Sequence, residues 1–191
     1  MMSRLPYVTP PRVTFLLSVL AIGMTISACS KTHEEKREYA LPHSLCGVEV
    51  APDLLSPFLP PGEKLSVKEE TPDGGTETCE LFIDGQPGVF ATQIWWREED
   101  SITEVASVQA MVGSGEVSSD QKYLHSGTGA VGMPAGCVDS DHPQQKLYTV
   151  IQVFAAGRDD KSTMKQLITD YTTAVEKSEA CPHDAVVPSS R

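Results

Sequence analysis

The 191-residue chain has no asparagine, no C-x-x-C pair and little positive charge: 15 Lys and Arg stand against 26 Asp and Glu, a net charge of −11. It also lacks an apolar run long enough to cross a bilayer with ease, which takes roughly 20 residues. Each shortage excludes something. An acidic surface repels nucleic acid and anionic lipid heads, so no nucleic-acid partner is expected. Without close cysteine pairs, a four-thiolate zinc site has no ordinary ligand spacing. No cofactor is expected either.

What is there begins with an apolar run from Val13 to Ala28, about 16 residues, preceded by Arg4 and Arg12. That length and those flanks fit a signal-peptide core, with the arginines held on the cytoplasmic side. The run ends in Ile26-Ser27-Ala28-Cys29, which looks like the lipobox of bacterial lipoproteins. That resemblance implies a signal peptide over 1–28, cleavage before Cys29, and a diacylglycerol with palmitate-type acyl chains on the Cys29 thiol. Each buried methylene contributes ~0.8 kcal/mol, so two or three chains hold a protein at a membrane with no peptide crossing it. The leader carries two of the 15 cations and no acid, so its removal takes the net charge from −11 to −13.

Lipidation of Cys29 leaves Cys46, Cys79, Cys137 and Cys181, an even number in a chain expected in an oxidising compartment, so two disulfides are expected. Three connectivities are open. If a helix folds back antiparallel on the strand before it, Cys181 returns toward Cys137; this favours 137 with 181 and leaves 46 to 79.

Residues 29–44 are polar and without period, and read as a tether. One domain is expected over 45–182, followed by a disordered tail over 183–191. "VAPDLLSPFLPPG" reads as a short helix or turn that buries Leu54, Leu55, Phe58 and Leu59 before Pro60-Pro61-Gly62 stops it. "KLSVKEE", "TCELFIDG" and "GVFATQIWWRE" read as an antiparallel meander. Ser101 and Glu104 have capping-box spacing ahead of Ile102, Val105 and Val112. Over Asp160 to Ser178, a stripe of Met164, Leu167, Ile168, Tyr171, Ala174 and Val175 predicts a second helix. The passage "GCVDSDHPQQKLYTVIQVFAAGRDD" parallels "TCELFIDGQPGVFATQIWWREED". The parallel is read either as a duplicated β-β-α unit or as two similar β-α passages. The expected fold class is α+β, an antiparallel sheet with helices on one face.

Several strings imitate active sites. Gly127 to Gly132 satisfies G-x-G-x-x-G, but Pro134 and Gly136 follow where the dinucleotide fold needs a helix, so a flexible loop is expected. Ser162 to Lys165 satisfies S-x-x-K, the nucleophile motif of penicillin-binding proteins and serine β-lactamases. Those enzymes also need a K-T-G strand and a second motif commonly containing asparagine, neither of which exists here. His33, His43, His125, His142 and His183 are scattered without metal-ligand spacing, and Asp139-Ser140-Asp141 lacks the remaining oxygens of a calcium loop. Trp95 and Trp96 point to opposite faces of one strand, which makes one a core residue and the other a contact candidate.

Taken together, the lipobox, the polar tether, "LCGVEVAPDLLSPFLPPGEKL", "TCELFIDG", "GCVDS" and "KSEAC" resemble the small four-cysteine lipoproteins common in actinomycetes. The resemblance implies a compact, non-catalytic extracytoplasmic domain on the outer face of the cell membrane. The membrane, through the lipid, and an envelope protein or ligand are the expected partners. The alternative is an envelope hydrolase or accessory enzyme using His125 and a nearby acid.

Overall fold

The computed structural model describes residues 36–72, 74–112 and 114–183; the expected signal peptide, Cys29 and the tail after His183 lie outside them. The fold is a mixed α+β arrangement built on one antiparallel sheet. Its strands are β3 (Leu65–Glu70), β4 (Thr76–Ile83), β5 (Gln86–Arg97), β6 (Glu116–Val117), β7 (Tyr123–His125), β8 (Gly129–Gly132) and β9 (Gln145–Val153). Their order is β3-β4-β5-β9-β8-β7-β6. A separate hairpin, β1 (Ser44–Leu45) with β2 (Val48–Glu49), precedes them. Cys46 and Gly47 form its two-residue turn, both with positive φ, 47° and 71°, as a tight hairpin with right-handed strand twist requires.

The helices are α1 (Pro52–Leu55), α2 (Ile102–Gln109) and α3 (Lys161–Val175). Helix α2 starts as its sequence predicts: the Ser101 hydroxyl accepts from the Glu104 amide, and the Ser101 amide donates to the Glu104 carboxylate at 2.8 Å. In α3 the Asp160 carboxylate caps the Thr163 amide at 2.9 Å, while Met164, Leu167, Ile168, Tyr171 and Val175 are fully buried. Each such side chain contributes roughly 1.5–3 kcal/mol on leaving water.

The expectation that helices share one face is corrected by the alternation of β9. Leu147 and Ile151 point into a core shared with α1, α3 and the β1–β2 hairpin. Tyr148 and Val150 point the other way, into a second cluster with Ile102, Val105 and Ala106 of α2. The sheet therefore lies between α3 and α2, and on the α2 side it is buried around Ile94, Val131, Tyr148 and Val150. This also answers the question of duplication. A two-fold axis relating the antiparallel neighbours β5 and β9 stands perpendicular to the sheet and keeps both helices on one face. Here they lie on opposite faces, and Cys79 sits in a strand whereas Cys137 lies in the connection after β8. The two passages are similar in local pattern, not in architecture.

Gly127 to Gly132 is likewise corrected from loop to structure, since its last four residues are the buried strand β8. The glycines serve close packing. A methyl group at Gly132 collides with the Thr172 hydroxyl of α3, and one at Gly129 meets Val112 beyond α2. Both helices approach the sheet where it has no side chains.

The disulfides are Cys46–Cys79 and Cys137–Cys181, with Cα–Cα distances of 5.4 and 4.7 Å. The first ties the β1–β2 turn to the sheet; the second ties the long β8–β9 connection to the chain after α3. The expected tether is shorter than 29–44, because its second half is bound to the domain. Arg37 pairs with Gly62 in a bridge and donates to the carbonyl oxygens of Ser56 and Leu59. The Tyr39 hydroxyl donates to Pro60 O. His183, expected in the tail, contacts the carbonyl oxygens of Gly136 and Glu176.

Candidate functional site

The strand ends define two opposite poles. The chain leading from residue 36 joins the sheet at Gly62, which packs on Ile83 and Asp84 at the end of β4. That pole also holds the start of β5 and the end of β9, since Val89 pairs with Val153. At the other pole, Arg97 pairs with Gln145. There a cleft of about 390 Å³ opens between the β8–β9 connection and the start of β9, lined by Asp120, Lys122, Met133, Pro134, Ala135, Gly136, Cys137, Lys146 and Leu147. Along β9 the two poles are separated by roughly 20–25 Å.

Local chemistry holds the cleft open. Lys122 Nζ lies 2.6 Å from Glu176 Oε1, which also accepts from the Ala135 amide at 2.8 Å. Burial is the largest single influence and works against both charges, but it is outweighed by several partners together, Glu176 and Tyr123 for Lys122, and Lys122, the Ala135 amide and Lys177 for Glu176: the Lys122 ammonium is held above its ordinary pKa and the Glu176 carboxyl below. This bond and the Cys137–Cys181 bridge fasten the connection to α3. Asp120 is committed to the Ser118 hydroxyl and the Lys122 amide, which depress its pKa in that order. Lys146 is half-buried, with Glu98 3.6 Å away. The floor is Met133, Pro134 and Leu147. Such a cleft offers an apolar surface with a cation at its rim, the arrangement of a binding site for a small ligand or a side chain of a partner.

His125 is elsewhere. It lies on β7 beside Glu116 and α3, is 3 % exposed, and its Nδ1 has no hydrogen-bond partner. Burial, with Lys161 and Lys165, holds its pKa below 6.5 against the pull of Glu116. The adjacent Ser126 hydroxyl donates to Gly129 O at 3.1 Å and accepts from the Thr128 and Gly129 amides. Its oxygen is occupied in closing the β7–β8 turn, not aimed at His125.

The other sequence candidates resolve similarly. Ser162 and Lys165 are exposed on the first turn of α3 while Met164 faces the core. Asp139 accepts from the Asp141 amide in a local turn. Cys46, Glu77 and Cys79 are near enough to hold a metal by distance alone, but the two sulfurs are bonded to each other and are not thiolates. Trp95 is buried and stacks on His142 with centroids 5.3 Å apart, whereas half-buried Trp96 donates its Nε1 hydrogen to Asp100 at 2.7 Å. Among the described residues no helix is long and apolar enough to cross a membrane. The cleft itself was not legible in the sequence, because Lys122 and Lys146 meet Met133 only through the pairing of β7, β8 and β9. Comparison with protein-family models, curated proteins and solved structures finds no match.

Proposed function

We propose that the protein is a lipid-anchored extracytoplasmic binding module that presents its cleft away from the membrane. Two disulfides suit an oxidising compartment. The lipobox-like Ile26-Ser27-Ala28-Cys29 provides the acylation site at the thiol of Cys29. The observation that carries the reading is polarity: the tether joins one end of the sheet, at Gly62, and the cleft with Lys122, Met133 and Lys146 opens at the other. An anchor and a receptor surface need that separation. Catalysis finds less support, since His125 is enclosed without a nucleophile on its free nitrogen.

Intact-mass analysis and membrane fractionation test the anchor: added acyl mass at Cys29 and loss of membrane association in Cys29→Ala are expected. The binding role is tested by quantitative mass spectrometry of species co-purifying with wild type and with Met133→Arg, which fills the cleft. Species lost from the variant, with its thermal transition unchanged, support the cleft. An identical profile from both proteins rejects it.

A further inference from the structure

At the pole where the tether joins, three phenylalanines stand together on the side of the sheet facing α2. Phe82 and Phe90 have ring centroids 5.7 Å apart, and Phe90 and Phe154 4.4 Å. Phe154 is 41 % exposed, and the other two are half-buried. Helix α2 does not cover them, for none of the three belongs to the cluster beneath it or packs against that cluster. Met111, 70 % exposed, follows α2 at the same end, beside Ala110, whose carbonyl lies against Gly129; Gly129 pairs with Gln152, the neighbour of Phe90. Contiguous exposed apolar surface of this kind marks a contact site.

We propose that Phe82, Phe90 and Phe154 form a bilayer-contact patch that docks the tether pole onto the lipid surface; this rests on the lipid-anchor reading above. The length of chain outside the domain chooses the occupant. Arg37 is fastened to Gly62, and Gly62 packs on Ile83 and Asp84, the residues directly after Phe82. The leash therefore runs only from Cys29 to Lys36, and fully extended it spans no more than roughly 25 Å. Acyl chains in the membrane hold this pole against the lipid surface at high effective concentration. Charge narrows the mode of contact. A strongly acidic chain gains nothing from anionic headgroups, and on the neighbouring strands Lys68 is shared between Glu70 at 2.5 Å and Glu80 at 3.7 Å, so it offers no spare cation to an anionic surface. The contact is thus apolar, rings entering the boundary between headgroups and acyl chains.

The test uses the full acylated protein reconstituted in vesicles of phosphatidylcholine or of phosphatidylglycerol, each doped with a lipid carrying a photoactivatable acyl chain. Crosslinked residues are mapped by mass spectrometry. Labels on Phe82, Phe90 and Phe154 in both vesicles are expected. A variant with Phe82→Ser, Phe90→Ser and Phe154→Ser should lose them while staying anchored, and the exposed single change Phe154→Asp serves if the triple variant does not fold. Labels confined to residues 29–36 in an anchored protein overturn the patch and leave the anchor standing. Labelling with phosphatidylglycerol alone, or crosslinks from these rings to a second copy or another protein, also overturns it. Absence of acyl mass at Cys29 removes anchor and patch together.

Discussion

Arg37 donates from Nη2 to the carbonyl oxygen of Leu59 at 2.7 Å, closing the start of the domain over the turn that follows α1. The same side chain donates to the Ser56 hydroxyl and carbonyl, both at 2.8 Å, and its guanidinium lies 5.5 Å from the Tyr39 ring centroid. One cation thus satisfies carbonyls left over at a helix end and converts half of a polar tether into part of the fold.

Replacing it should loosen both. Arg37→Ala is expected to cost about 1–3 kcal/mol in urea unfolding, the range for hydrogen bonds to charged groups and the carbonyls they leave unpaired. Limited proteolysis should open a new site between residues 37 and 43. Unchanged resistance to protease over that stretch counts against the clamp.

Gly132 and Thr172 form a close approach of sheet and helix. The Thr149 and Thr172 hydroxyls lie 2.7 Å apart, and Thr149 also donates to Gly132 O at 3.2 Å. Gly132→Ala should destabilise by about 1–3 kcal/mol through overpacking. Adding Thr172→Ala removes the obstructing hydroxyl and should recover part of the loss; a strictly additive double variant, measured by thermal unfolding, means the two positions do not touch.

His125 makes stability depend on pH. Its folded pKa lies below 6.5, first because of burial, then through Lys161 and Lys165, with Glu116 opposing. Between the folded value and 6.5 the unfolded chain binds more protons than the folded one, so this contribution is complete above 6.5 and lost as pH falls through the window. Urea midpoints of wild type should fall from about pH 7 to about pH 5.5 more steeply than those of His125→Phe. Parallel pH profiles would exclude the histidine as the cause.

The Cys137–Cys181 bridge holds the wall of the cleft. The Val138 amide donates to Pro182 O at 2.7 Å, a bond between two segments that have no other covalent reason to meet. Changing Cys137 and Cys181 to Ser should cost ~2–5 kcal/mol. Hydrogen exchange at Val138 should accelerate far more than exchange in β5. Equal acceleration across both regions would show global destabilisation in place of local release.

Local chemistry made much of this chain readable. Ser101 and Glu104 cap α2 because a capping box needs only neighbours within one turn, and the stripe from Met164 to Val175 buries one helix face by its own period. Strands β3 to β5 follow from alternation and turns, and a helix folding back on its strand brought Cys181 to Cys137. The acidic balance and the string ending at Cys29 are likewise properties of the sequence itself.

Only the tertiary structure decided which side of the sheet each helix covers. Apolar residues on both sides of β9, Leu147 and Ile151 against Tyr148 and Val150, allow a helix on either face, and no local preference chooses between them. The same holds for Gly129 and Gly132, whose role lies in what α2 and α3 bring over them, and for the cleft, whose lysines are joined to Met133 by strand pairing. The placement of Phe82, Phe90 and Phe154 beside the chain's attachment is of this kind too. A sequence fixes what each segment prefers over a few residues, whereas contacts between distant segments follow from packing them into one volume with polar groups satisfied.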